Sequence, residues 1–292
     1  MLYFDIFDHP LTKVEIVKLA AGNSSEMLAD ASLNELVQAK MLHEIDGYYS
    51  VQPEFKSLIE RRETGERNAA LQKTKAHKRA KFIGKFPYVK AAYISGSMSK
   101  GVMHEDGDID FFIITEPGRL WVARTFLVLF KKTFLFNSRK FFCLNYFIDS
   151  SKLEIEEKNV FTATEMVTLK PIYDSGIYSQ FRDENSWVEE FIPNNKREEV
   201  VYNGKTSRPI ANLVEGMLNN SIGDKLDEWF MTGTLKVWKR KFKHLENVDF
   251  DVALKTRKYV SKHHPRNFQS RVLGALDERI LRFEEKHNTK LS

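Results

Sequence analysis

The chain is nearly free of cysteine: Cys143 stands alone among 292 residues, which excludes an internal disulfide and fits a reducing compartment. Long apolar runs are also missing. The longest, Leu120 to Phe130, contains Arg124 and is too short to span a bilayer, so no membrane partner is expected. No basic stretch opens the chain, and Asp5 and Asp8 interrupt its start, so no signal peptide is expected and the placement is cytoplasmic. Neither an internal repeat nor a low-complexity segment is visible. What is present is ordinary for a globular protein, 42% hydrophobic and 29% charged residues, and the length allows a substantial core in two or three domains.

Charge is unevenly placed. The net charge is +5, yet residues 55–90 hold eleven Lys and Arg against Glu60, Glu63 and Glu66, a net +8 that leaves −3 for the rest. Such a segment is either the wet face of a helical connector, the reading preferred here, or a surface that faces polyanions.

The most informative stretch is Ser95-Gly96-Ser97-Met98-Ser99-Lys100-Gly101, followed by Gly107-Asp108-Ile109-Asp110. Val89 to Ile94 before it has the composition of a short buried strand, and Phe111 to Thr115 after it that of a second strand with both aspartates at its start. Residues two apart in a strand share a face, so Asp108 and Asp110 are expected to project together. Paired carboxylates repel, and hard oxygen ligands suit Mg²⁺ or Mn²⁺. The Gly-Ser turn would bring bare backbone N–H groups up to a phosphate.

Strand, Gly96-Ser97, the ten-residue spacer Met98 to Gly107, then Asp108-Ile109-Asp110 resembles the signature of the polymerase-β-like nucleotidyltransferases, and more closely their small bacterial members. Gly96, Ser97, Gly101, Asp108 and Asp110 fit that pattern; Ser99, Lys100 and Gly107 depart from it. The resemblance implies an α+β fold with a mixed sheet and helices. It implies Asp108 and Asp110 as catalytic metal ligands, Gly96 and Ser97 as binders of the nucleotide's β- and γ-phosphates, and Lys100 as a neutraliser of phosphate charge, the plain alternative for Lys100 being solvent exposure. Members of the superfamily add a third carboxylate from the next strand. Here that strand, Lys140 to Ile148, offers Asn145 where the acid is expected, with Asp149 on the same face near its end and Glu165 further on. Asn145 is preferred by position, and the missing acid is the main departure from the pattern.

Residues 1–52 resemble a winged helix-turn-helix. Thr12-Lys-Val-Glu15 is a capping box opening a first helix, Leu28, Leu33, Leu36 and Val37 set the spacing of a second, and Met41 to Val51 predicts a hairpin about Asp46-Gly47. Glu26, Asp30 and Glu35 on the second helix, between Ser24 and Lys40, oppose a phosphate backbone, so packing or protein contact is preferred to DNA readout. A basic helical connector follows over 53–86, with Gly65 as a break, then the core over 87–175 and a helical region over 176–292. Within the last two, helices are expected over Leu120–Phe130, Phe161–Tyr173, Val188–Phe191, Arg208–Leu218, Leu235–Leu245 and Phe268–Glu285, with Gly204 and Pro209 marking a boundary. His104, Glu105 and Asp106 read as solvated, and His263-His264 lacks partners at zinc-ligand spacing.

The expected activity is Mg²⁺-dependent transfer of an NMP unit from an NTP, ATP first, to a hydroxyl of a small molecule or protein, with release of pyrophosphate. A catalytically weakened nucleotide- or nucleic-acid-binding regulator is the second reading, and a template-independent polymerase the third.

Overall fold

The capping box at Thr12 forms as expected: Glu15 N–H donates to Thr12 Oγ1 at 3.4 Å, and Thr12 N–H donates back to Glu15 Oε2 at 2.9 Å. In the computed structural model, which describes residues 1–22, 26–137, 142–195 and 207–291, this box opens α2 (Lys13–Leu19), after α1 (Leu2–Asp5) and β1 (Leu11–Thr12). Then come α3 (Glu26–Gln38), β2 (His43–Ile45) and β3 (Tyr48–Ser50). Asp46 and Gly47 both take positive φ, +52° and +79°, so the hairpin closes through the turn their identities favour. The three strands form one sheet in the order β1-β3-β2.

α4 (Lys56–Ile83) runs unbroken through Gly65, against the break expected there. The glycine is explained by close approach instead: Met103 N–H donates to Gly65 O at 2.9 Å, and a Cβ on Gly65 would meet Val102 Cγ1 at 2.6 Å. Arg62 fastens α4 to α2 and to the residue before β1. Its two terminal nitrogens donate to both Glu15 carboxylate oxygens at 2.8 Å, one of them also to the Pro10 carbonyl, and its Nε donates to Glu66 at 2.8 Å.

The main sheet has six strands in the order β7-β4-β5-β6-β9-β8: β4 (Val89–Ser95), β5 (Asp110–Thr115), β6 (Cys143–Asp149), β7 (Lys170–Asp174), β8 (Thr256–Arg257) and β9 (Val260–Lys262). It is mixed, with β5 and β6 parallel and the other neighbours antiparallel. The short α5 (Gly96–Ser99) joins β4 to β5, and α6 (Leu120–Phe134) follows β5. Next come α7 (Val160–Thr168), α8 (Tyr178–Glu184), α9 (Val188–Phe191), α10 (Pro209–Leu218), α11 (Ser221–Lys241), α12 (Asn247–Ala253) and α13 (Phe268–His287). One face of the sheet buries Ile94, Ile113 and Phe147 with Ala80 of α4 and Trp121 of α6. The other buries Tyr93, Phe112 and Ile148 with Met166 and Phe181.

Three expectations need correcting. Phe161 to Tyr173 is not one helix: Pro171 cannot continue α7, and Lys170–Asp174 forms β7, an edge strand, where proline is tolerated. Residues 176–292 are not wholly helical, because β8 and β9 extend the main sheet beyond β6. The helix expected over Leu235–Leu245 starts much earlier, at Ser221, where Asn220 Oδ1 accepts from Ile222 and Gly223 N–H groups. The expected boundary marker Gly204, the residues Lys140 and Phe141 of the third strand, and Ser24 lie outside the described residues, as do the side chains of Glu26 and Leu28. Among the described residues no helix is long and apolar enough to cross a membrane.

Candidate active site

The turn after β4 is built around Gly96, whose φ of +68° only glycine adopts without strain. Ser95 lies opposite Asp110 in the β4–β5 ladder, and a Cβ on Gly96 would meet Asp110 Oδ2 at 2.6 Å. The turn and the carboxylate are therefore pressed together. Ser99 Oγ donates to Gly96 O at 2.7 Å and closes the turn, leaving Ser97 exposed beside it.

β5 begins at Asp110, so Asp108 belongs to the preceding turn rather than to the strand. The two carboxylates still feel each other. Burial raises the Asp110 pKa to about 6 against the pull of the Cys143 thiol as a hydrogen-bond donor, and the charges of Asp108 and Glu165 push the same way as burial against Lys100. Lys100 is half-buried and not solvated: its Nζ donates to Glu165 Oε1 at 2.6 Å and to Gly96 O at 3.3 Å.

The third-acid question turns on a bulge. Phe111 pairs with Leu144 and Phe112 with Tyr146, so Asn145 has no partner in the ladder. Its side chain leans onto Asp110, Nδ2 donating to Oδ1 at 2.6 Å, while its own Oδ1 accepts from Cys143 Sγ at 3.2 Å. Burial and the neighbouring Asp110 push the Cys143 thiol up to about 12, so it stays a donor. The bulge also shifts the alternation. Leu144 and Phe147 enter one core and Ile148 the other, which puts Asp149 on the Phe147 side. The expectation that Asn145 and Asp149 share a face is thus overturned. Asp149 lies opposite Thr115, at the far end of the ladder from Asp110, and accepts from the Gly118 and Ser151 N–H groups. Glu165 reaches the site from α7, but paired with Lys100.

Gly96, Ser97, Lys100, Asp110, Asn145 and Glu165 all open onto one cavity of about 1320 Å³, with Asp108 just outside its lining. These positions span β4 to α7, and residues 74–192 match the family model described as Nucleotidyltransferase domain.

That stretch is similar to a nucleotidyltransferase domain.

The match supports the polymerase-β-like superfamily, an enzyme of the nucleotidyltransferase class and a nucleotide substrate. No curated protein and no solved structure matches the chain. Among the described residues no group of three or more His, Cys, Asp or Glu is arranged to hold a metal. The donor set nonetheless suits a hard cation: Asp110 carries a half-buried carboxylate that feels the charge of Asp108, and no backbone N–H among the described residues donates to it.

Outside the nucleotidyltransferase domain match, the cavity is walled by residues that sequence reasoning did not single out. Tyr3 and His9 come from the N-terminal region and Gln269 from α13, beside Lys73 of α4, which the basic segment over 55–90 includes. His264, set aside as a zinc candidate, is half-buried there too. They are far apart in the chain and belong to no shared motif, so the fold alone brings them together. His104 lines the rim, exposed like Glu105 and Asp106.

Proposed function

We propose that the protein transfers an NMP unit, from ATP first among NTPs, to an acceptor hydroxyl with release of pyrophosphate, in the cavity floored by Gly96, Ser97 and Asp110. The observation that carries this is the packing of the Gly96 turn against the Asp110 carboxylate inside the stretch that matches the domain model. Backbone N–H groups of the turn and the Ser97 hydroxyl would hold the β- and γ-phosphates. Asp108 and Asp110 would hold Mg²⁺ or Mn²⁺, which when bound supplies Lewis-acid stabilisation of charge on the phosphates. Asn145 would occupy the third-acid position as the group that positions Asp110, because its amide oxygen is taken by Cys143. Lys100 would neutralise phosphate charge by exchanging Glu165 for a phosphate oxygen, and so free a carboxylate within the cavity.

In the same reading residues 1–52 are a winged-helix-like module, 53–86 a connector, 87–175 the catalytic core and 176–292 a C-terminal region that completes the cleft. The module serves packing rather than DNA readout: Arg62 binds it to α4, and its first residues face the cavity. A second reading, a nucleotide-binding regulator without turnover, draws on the amide at Asn145 in place of an acid.

The test is the shift in melting temperature with ATP and Mg²⁺ for the native chain and for Asp108→Asn/Asp110→Asn. At a hundredfold excess over Kd, binding adds about 2.7 kcal/mol, or several degrees for a chain of this size. A metal-dependent shift that the double substitution abolishes supports the site. No shift with any NTP overturns nucleotide binding, and a shift without pyrophosphate release in an acceptor screen moves the reading to the regulator.

A further inference from the structure

One stripe of α4 turns into the cavity. Glu66, Ala69, Ala70, Lys73 and His77 recur at helical spacing and line it, while the neighbouring stripe of Ala76, Ala80 and Ile83 is buried against the main sheet. Both ends of this stretch are fixed. Gly65 O accepts from Met103 N–H in the loop after the Gly96 turn, and a Cβ on Gly84 would meet the Tyr173 ring of β7 at 2.4 Å. Lys73 and His77 therefore stand between that loop and the edge strand. Lys170, Pro171 and Ile172 of β7 line the same cavity, and Lys170 pairs with Ile94, two residues before Gly96. Lys73 is exposed and His77 half-buried, so α4 and β7 flank a mouth that leads to the turn.

The charge at this mouth is unbalanced. Between Glu66 and Glu105 the chain has no Asp or Glu. Elsewhere in the cavity the charges are matched: Arg61 pairs with Asp8, Arg62 with Glu15 and Glu66, and Lys100 with Glu165, while Lys262 donates to Gln269. Among the described residues Lys73 and His77 have no such partner. Burial lowers the His77 pKa, and the charges of Lys73 and Lys81 lower it further. Lys81 is exposed, one turn beyond His77 and outside the cavity lining. Basic groups crowded together without an anion are relieved by one. Lys73 supplies one positive charge and a proton taken up by His77 a second, which matches a phosphate monoester, charged about −1.5 to −2 near pH 7. The nucleotide's β- and γ-phosphates are already provided for by Gly96, Ser97 and Lys100. At about 1320 Å³ the cavity also exceeds the roughly 300–1,000 Å³ usual for one small ligand, which leaves room for a second reactant.

We propose that Lys73 and His77 bind a phosphate monoester carried by the acceptor, at the α4–β7 side of the cavity, so that the acceptor is a phosphorylated hydroxyl compound. The two residues orient it and take no part in making or breaking bonds. The proposal rests on the nucleotidyl-transfer reading for the acceptor's role; the phosphate site itself rests on the cavity face of α4.

NMR titration of the His77 imidazole in the full chain tests it, with glycerol 3-phosphate as the probe and glycerol as the uncharged control. Glycerol 3-phosphate should shift the His77 resonance saturably and raise its pKa, and glycerol should do neither. Lys73→Gln, at an exposed position, should weaken this binding roughly tenfold at an unchanged melting temperature. Lys78→Gln, also exposed but outside the cavity lining, should leave it as it is. With ATP and Mg²⁺ present at saturation, glycerol 3-phosphate should still titrate His77. Displacement by ATP would assign the phosphate to the nucleotide and overturn the proposal. So would the absence of a shift with glycerol 3-phosphate, or equal weakening by Lys73→Gln and Lys78→Gln. The two readings fail separately. An ATP melting shift without glycerol 3-phosphate binding overturns only the acceptor's phosphate. Glycerol 3-phosphate binding without any ATP shift keeps the phosphate site and removes the nucleotidyl-transfer reading.

Discussion

At one end of the β5–β6 ladder, Asp149 accepts from the Gly118 and Ser151 backbone N–H groups at 3.0 and 2.9 Å and from the Ser151 hydroxyl. At the other end, Asp110 receives an amide hydrogen of Asn145 and, among the described residues, no backbone N–H. Burial lifts its pKa to about 6. Both are carboxylates at the edge of the same strand pair, yet one is satisfied by its own backbone and the other keeps a charge that its surroundings disfavour. The difference separates a carboxylate satisfied by backbone donors from one whose charge is left without them, the one proposed above to hold a cation, and substitutions at each can break it.

The largest expected effect is at the satisfied end. Asp149→Ala removes a buried carboxylate that two part-buried N–H groups and a hydroxyl donate to, and should cost about 3 kcal/mol in urea unfolding. Asp149→Asn, which keeps one acceptor oxygen, should cost less than half as much. A loss within experimental error for Asp149→Ala would show that the Gly118 and Ser151 turns stand without it and would dissolve the contrast.

At the other end the sign reverses. The folded pKa of Asp110 lies above its ordinary value of 3.8, so the folded state binds this proton more tightly than the unfolded chain. The site is most stable below pH 4, loses stability as the pH rises from about 4 to about 6, and carries the full penalty above that. Asp110→Asn should therefore stabilise the metal-free protein by about 2–3 kcal/mol at pH 8, with the gain fading near pH 4. Urea titrations at the two pH values check it. A destabilising Asp110→Asn would place Asp110 with Asp149 among the structural carboxylates.

Asn145→Asp sharpens the comparison from the other side. A carboxylate in place of the amide, now 2.6 Å from Asp110, adds like charge and should cost about 1 kcal/mol at pH 8 without metal. Mn²⁺ should return more stability to this variant than to the native chain, since it completes a third hard ligand. Equal Mn²⁺ stabilisation of both would remove Asn145 from the third-acid position.

How much of this was readable in the sequence follows the range of the interactions. The apolar runs Val89–Ile94 and Phe111–Thr115, the Thr12–Glu15 capping box and the Asp46-Gly47 turn are set by residues close in the chain, and each appears within a residue of where its pattern puts it, although Asp108 stays outside β5. The bulge at Asn145 left no mark, because Cys143-Leu-Asn-Tyr-Phe reads equally well as an unbroken strand; only pairing with Phe111 and Phe112 shows the extra residue. β7 was hidden by its length and by Pro171, and β8 and β9 are too short to show a period. At the candidate site, the Gly96 turn and Asp110 were legible as a motif. The Lys100–Glu165 pair, 65 residues apart, and the meeting of Tyr3 of α1, Phe161 of α7 and Phe268 of α13 on one cavity exist only after folding.

The smallest effect expected is at Lys100. Its ion pair with Glu165 is about a quarter exposed on both sides, so Lys100→Met should cost less than about 1 kcal/mol in the free protein. Its consequence lies in binding. If Lys100 leaves Glu165 for a phosphate, the substitution removes the cation but also frees Glu165 within the cavity, whose charge opposes the incoming triphosphate. The ATP-induced melting shift should then shrink more for Lys100→Met than for the double substitution Lys100→Met/Glu165→Gln, which lacks that carboxylate. Equal shifts in the two variants would mean that Glu165 does not face the nucleotide, and that the pair serves only to hold α7 against the Gly96 turn.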